Sequence, residues 1–269
     1  MNDSPASRTL SGRPFKPVAE LLAALGFLTR VPIPFSRTAA KVPLAQAMRQ
    51  FGLAGGLIGA LIGLVLKTIG MLHLPVLMTT SFAVGFSLLI TGALHEDGLC
   101  DTADGLGGGA TKERRLEIMR DSRIGTYGAA ALGLALICRV GAYIGLLNLV
   151  YWQAILVLAA CGAFSRAMVV DMMWATKAAR TDGLAVHAGR PDRATALFAI
   201  IMAGALALWA GAYSAPMAGI EAIGVALVVT AIMRWLATRL IGGQTGDICG
   251  ATQVLSELGM LAAFLSTIH

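Results

Sequence analysis

Charge is what this 269-residue sequence has least of. Asp, Glu, Lys and Arg together make up 13% of it, against about 25% in an ordinary soluble domain. That shortage excludes a surface that faces water everywhere. The 57% apolar content and mean hydropathy of +0.74 point instead to lipid around much of the exterior. Aromatics are also scarce, at 6%, and no basic stripe interleaves with them. The excess of 21 Lys and Arg over 15 Asp and Glu is therefore not read as a nucleic-acid surface. It is read as cytoplasmic loops that obey the positive-inside rule. Cys100, Cys138, Cys161 and Cys249 form no CxxC pair and no metal-ligand spacing, so no disulfide framework or zinc site is implied. Residues 1–16 are polar and basic, with no apolar core of the signal-peptide kind. They are expected to form a flexible cytoplasmic tail before a single membrane-embedded domain over 17–269.

Glycine, at 32 residues, is abundant. This suits either close helix packing in a bundle or a plain bias of composition. Apolar runs long enough to cross a bilayer fall at about 50–71, 76–94, 124–149 and 151–175, with two more within 194–241 and one at 251–268. Lys67 can snorkel near one end of the first. The segment 17–34 is too short to span and is expected to lie at the interface, followed by a basic linker with Arg37, Lys41 and Arg49. The fold class is all-α, a polytopic membrane bundle of about seven transmembrane helices with a cytoplasmic N-terminus. The orientation follows from the links. Lys112, Arg114, Arg115, Arg120, Arg123, Lys177, Arg180, Arg190, Arg193 and Arg239 fall on one side, and the links near 72–75, 149–151 and 213–217 carry no Lys or Arg.

The chemistry concentrates in 95–127, HEDGLCDTADGLGGGATKERRLEIMRDSRIGTY, read as a cytoplasmic loop. Asp97, Asp101 and Asp104 stand at i, i+4 and i+7, one face if the segment is helical. Carboxylates so close repel unless a cation lies between them, and hard oxygen ligands suit Mg²⁺ or Mn²⁺. Glu96 is placed to add a ligand. The alternative is a solvated acidic helix end paired with Lys112 or Arg114. The run 105–109, with Gly107 and Gly108, lets backbone N–H groups approach phosphate, or serves as a linker. Arg120 and Arg123 flank a turn where they either hold phosphate oxygens or anchor the loop. Asp247 is either a helix cap or a further carboxylate of the site. Arg139, Arg166, Asp171 and Glu257 lie inside apolar spans, where unpaired charge is costly. Glu257 is expected to face the bundle.

These motifs together resemble the cobalamin synthase family, the adenosylcobinamide-GDP ribazoletransferases. The resemblance rests on 27–34 (FLTRVPIP), 95–106 (HEDGLCDTADGL), 120–128 (RDSRIGTYG) and 243–251 (GQTGDICGA), with weaker matches at Ser165-Arg166, Ala179-Arg180 and Gly183-Leu184. Cys100 stands where the family often has a small residue, which argues against cysteine chemistry. The resemblance implies that adenosylcobinamide-GDP and α-ribazole, or its 5′-phosphate, join to give adenosylcobalamin, or its 5′-phosphate, with release of GMP. It also implies a Mg²⁺ requirement and the bacterial inner membrane, with active loops on the cytoplasmic side. On that reading Asp97, Asp101, Asp104 and Glu96 are the metal ligands, and Asp247 joins them in catalysis. Arg120, Arg123, Gly107, Gly108, Arg166 and Arg180 bind substrate. The proton acceptor stays open among Glu96, Asp121 and Asp247. The alternatives are a CDP-alcohol type membrane phosphotransferase or a corrinoid transporter. Membrane lipid is the surrounding partner. Oligomerisation and docking of other corrinoid-assembly enzymes are left open.

Overall fold

The structure, a computed structural model, describes residues 15–32, 41–215 and 217–268. Most of the expected tail, together with Pro34, Arg37 and Pro216, lies outside the described residues.

Twelve helices follow one another among the described residues. They are α1 (Pro17–Leu28), α2 (Leu44–Ala47), α3 (Phe51–Gly70), α4 (Val76–Thr91), α5 (Leu94–Gly108), α6 (Lys112–Ile118), α7 (Thr126–Leu147), α8 (Tyr151–Ala175), α9 (Leu184–Ala188), α10 (Arg193–Ser214), α11 (Ala218–Ile241) and α12 (Gly246–Ile268). A 3-10 turn, Met48–Gln50, fuses α2 to α3. Six helices are long and apolar enough to cross a membrane: α2–α3 as one, α7, α8, α10, α11 and α12. Helices α4 and α5 pass the same test as a pair bent by 91°, a broken span or a re-entrant loop, which makes the count six or seven. The expected count of about seven therefore holds.

The bend corrects the expected second span. Helix α4 stops after 16 residues because Gly92 and Ala93 both turn left-handed, at φ 64° and 53°. Alanine in that region costs about 1–2 kcal/mol. A Cβ at Gly92 would meet Arg30 Nε at 2.4 Å, and the Arg30 N–H donates to Ile90 O at 2.7 Å. The end of α1 thus holds the break. The segment expected as a loop after residue 94 is instead helical, so the acidic motif is the second arm of a bent helix pair.

Helix α8 runs through the middle of the bundle, buried along nearly all its length. Glycine explains how α3 reaches it. A Cβ at Gly55 would come within 2.1 Å of Gly162 O, one at Gly59 within 2.1 Å of Leu158 O, and one at Gly63 within 2.8 Å of Ile155 Cα. In lipid, such close packing replaces the hydrophobic drive that water would supply. Helices α10 and α11 meet closely through Gly211 and Gly219, while Ala199 and Ala203 of α10 lie against Gly52 of α3.

One end of the bundle gathers the polar links. Gln244 N–H donates to Lys177 O at 2.8 Å, Ala179 N–H returns to Gln244 O at 2.9 Å, and Arg115 Nη1 donates to Leu240 O at 3.3 Å. At the other end Lys67 donates to Leu147 O and Leu149 O, at 2.9 and 2.8 Å. It satisfies carbonyls that the end of α7 leaves open. Asp171, the other acid inside a span, is ion-paired to Arg234 of α11.

Candidate active site

Helix α5 sorts its acids by face. Asp97 is exposed, Asp101 half-buried and Asp104 buried. Asp104 reaches the start of α7: Gly125 N–H donates to its Oδ2 at 2.7 Å and Gly128 N–H to its Oδ1 at 2.8 Å. Both donors belong to the first turn of α7, where N–H groups have no helical partner. Bonds of this charged kind stabilise by roughly 1.5–3 kcal/mol each. The two glycines are required there. A Cβ at Gly125 would stand 2.4 Å from Asp104 Oδ1, and one at Gly128 2.3 Å from Asp104 Oδ2. The acidic motif and the RDSRIGTYG motif are therefore two halves of one contact.

A second contact joins α5 to α12. A Cβ at Gly98 would meet Asp247 O at 2.9 Å, and one at Gly250 would meet His95 O at 3.2 Å. With the two backbones this close, Asp97, Asp104 and Asp247 all act electrostatically on Asp101, opposed by Arg180. Thr245, not Asp247, caps α12: its Oγ1 accepts from Ile248 N–H at 3.3 Å. Asp247 is left to face Arg180, whose Nη2 lies 3.5 Å from its Oδ2. Arg180 also approaches Asp182 at 3.9 Å, and its buried Nη1 has no hydrogen-bond partner.

The remaining residues divide. Arg120 pairs with Asp182 at 2.6 Å, at the rim of this face. Arg123 pairs with Asp121 at 2.6 Å and holds that exposed carboxyl down at about 2. Gly107 and Gly108 do not form a loop; they are the last residues of α5. A Cβ at Gly107 would strike the Tyr127 ring at 2.9 Å, so this glycine serves packing, and the expected backbone cradle for phosphate is not formed.

Glu96 and Arg166 are not brought to the acidic face. Glu96 Oε1 accepts from Arg139 Nη1 at 2.6 Å inside the bundle. Arg139 Nε lies 3.6 Å from Glu257, and Arg166 Nη1 lies 3.8 Å from Glu257 and 3.1 Å from Gly162 O. Gln253 Nε2 donates to Glu257 at 2.5 Å and to Ser165 Oγ at 3.0 Å. Glu257 faces the bundle, as expected. Two arginines and two glutamates thus close on one another, and the reason is desolvation: charges this deep persist only when paired. Sequence reasoning missed Asp182, which stands between Arg120 and Arg180. It also missed the coupling of glycines to acids.

Among the described residues, no three His, Cys, Asp or Glu side chains form a group that holds a metal by itself. Magnesium is commonly held by one or two carboxylates plus substrate phosphates and water. Asp97 and Asp101, one turn apart on an accessible face, fit that pattern.

Comparison with known proteins gives the family. The model of the family described as cobalamin-5-phosphate synthase matches residues 20–265. A protein of Azorhizobium caulinodans named adenosylcobinamide-GDP ribazoletransferase is 42% identical over 264 residues, 92% of this chain and 96% of its own. Proteins of the same name from Bradyrhizobium diazoefficiens and Brucella ovis are 42% and 38% identical. They align with 91% and 93% of this chain, and with 92% and 96% of their own. No solved structure matches the chain. With nearly its whole length matched, and with its two most specific motifs in contact at Asp104, the chain belongs to the cobalamin-5-phosphate synthase family.

Proposed function

We propose that the chain carries out the transfer its relatives are named for, joining adenosylcobinamide-GDP to α-ribazole or α-ribazole 5′-phosphate and releasing GMP. The observation that carries the reading is the meeting of Asp97, Asp101 and Asp247 with Arg180 on one face, an excess of negative charge beside a partly unsatisfied arginine.

A ribose hydroxyl of the ribazole attacks the phosphorus nearest the cobinamide. A new O–P bond forms, the bridging P–O bond of the diphosphate breaks, and GMP leaves with the electron pair. The chain's work is positioning and charge compensation. Arg180 binds diphosphate oxygens, supported by its unpartnered Nη1. Arg120 and Arg123 extend the same binding at the rim. Asp247 takes the hydroxyl proton. It is preferred over Glu96, which Arg139 engages inside the bundle, and over Asp121, which Arg123 grips with two nitrogens. Asp97 and Asp101 would hold Mg²⁺, or Mn²⁺, which when bound offsets the charge of the diphosphate. Asp104 keeps the α7 start in place beside them.

The polar end of the bundle is assigned to the cytoplasm and the membrane to the bacterial inner membrane. The ten basic residues of the polar links, against none at the opposite links, support this. The test uses detergent-purified protein with Mg²⁺, adenosylcobinamide-GDP and α-ribazole, followed by chromatography of cobamide and GMP. Equal amounts of both products, lost on chelation of the metal and in Asp101→Ala, are expected. A folded protein that makes neither, with α-ribazole 5′-phosphate also supplied, would sink the reading.

A further inference from the structure

Two clefts flank α5, and their chemistry differs. On the Asp104 side lies an open cleft with Asp121, Arg123, Thr126 and Tyr127 on its walls. On the His95 side lies a narrower cleft walled by Phe27, Met48, Phe51, Val169, Met173 and Leu184. The second is almost wholly apolar. The rings of Phe27 and Phe51 stack across its wall, 5.8 Å apart and 18° from parallel. His95 is the one titratable nitrogen base on its lining. The lining includes Gly246 and Gly250 of α12 and Leu94 and His95 of α5, the two helix starts whose backbones meet where Gly98 lies against Asp247 and Gly250 against His95. An occupant therefore sits against the two helix starts that carry the site carboxylates.

We infer that this apolar cleft seats the aromatic base of the acceptor nucleoside, a flat benzimidazole-type heterocycle, with its ribose emerging toward Asp97 and Asp247. The inference rests on the ribazoletransferase reading and deepens it. Of the parts the reaction brings together, only the base suits the walls. A corrin macrocycle with its amide arms is several times too large. A guanosine diphosphate would bury charge against phenylalanine and methionine with no partner, and the polar cleft beyond Asp104 offers it arginine and a carboxylate instead. A fused aromatic ring bearing methyl groups gains from burial against apolar and aromatic side chains. Small pockets of this kind, apolar with few polar groups, are the usual form of a site for a flat ligand.

The cleft also has a roof that comes from the polar face. Ala185 and Ala188 of α9 line it, and α9 is bounded by Gly183 and Gly189 at φ 95° and 79°. Ala188 is buried and lines the cleft, so a larger side chain there takes up room inside it.

The experiment is steady-state kinetics on the full chain, with each substrate varied in turn, for wild type and Ala188→Phe. The KM for α-ribazole is expected to rise by about tenfold or more while that for adenosylcobinamide-GDP stays within about twofold. Free 5,6-dimethylbenzimidazole, which has no ribose, should compete with α-ribazole and not with adenosylcobinamide-GDP. Met48→Ala, which enlarges the cleft, should shift preference toward ribosides of bulkier bases. An unchanged KM for α-ribazole in a folded Ala188→Phe, or inhibition by the free base that follows adenosylcobinamide-GDP, overturns the assignment and leaves the cleft to a lipid chain. Absence of turnover in the wild type would instead strike the underlying reading.

Discussion

Two sets of four charged residues lie within a few turns of α5, and they are built oppositely. Glu96, Arg139, Glu257 and Arg166 are buried, two negative and two positive, and include a contact of 2.6 Å. Asp97, Asp101, Asp247 and Arg180 sit at the polar end with three negative charges to one positive, and Arg180 approaches Asp247 at 3.5 Å. A set that balances itself has no need of a ligand. An unbalanced set that water can reach keeps part of its interaction energy for something that binds. Adjacent residues of one helix, Glu96 and Asp97, fall on opposite sides of this division.

The comparison breaks most severely if the buried set tolerates loss of one member. Arg139→Met leaves two carboxylates underpaired in a dry interior and is expected to cost about 3–5 kcal/mol, read as a lowered melting temperature in detergent. Adding Glu96→Gln should recover part of it. Asp101→Ala should do the reverse, lowering kcat by roughly 10²–10³ with the melting temperature unchanged. Gly125→Ala tests the link between the motifs. Its Cβ would stand 2.4 Å from Asp104 Oδ1, so a loss of about 1–3 kcal/mol in stability is expected, with activity falling alongside. Arg180→Lys keeps the charge and loses the planar fork, and should lower kcat/KM by about tenfold. The smallest effect belongs to Arg123. The Asp121 carboxyl is depressed to about 2 by Arg123, so what this pair contributes is present above the ordinary aspartate range, near pH 4, and is lost as pH falls toward 2. Arg123→Ala should therefore melt slightly below the wild type from about pH 5 to 9, and the difference should vanish as pH falls toward 2.

Much of the bundle was legible in the sequence because lipid enforces long apolar runs. Helix α8 begins and ends where its apolar run does, at Tyr151 and Ala175. The bent pair was not legible. The acids after residue 94 ended the hydropathy signal although the helix resumes, and nothing local marks Ala93 as left-handed. The i, i+4, i+7 spacing correctly put Asp97, Asp101 and Asp104 along one helix, yet it could not tell that Asp104 is engaged by the start of α7. Glu96 was grouped with its neighbours by adjacency, but its face was decided by Arg139, 43 residues away. Glycine was the most misleading residue type. The run 105–109 suggested a phosphate loop, and the structure uses it where Met119, Tyr127 and Arg115 press against the backbone.

The bend after Thr91 has a consequence for biosynthesis. Helix α5 carries four acids in 15 residues, so it cannot settle in lipid alone. Its buried Glu96 needs Arg139, which is made later, and Gly98 packs on the start of α12, which is made last. The nascent chain must therefore hold α5 near the water boundary until the final helix inserts, and a chain that ends before α12 lacks both Asp247 and the wall against which α5 closes.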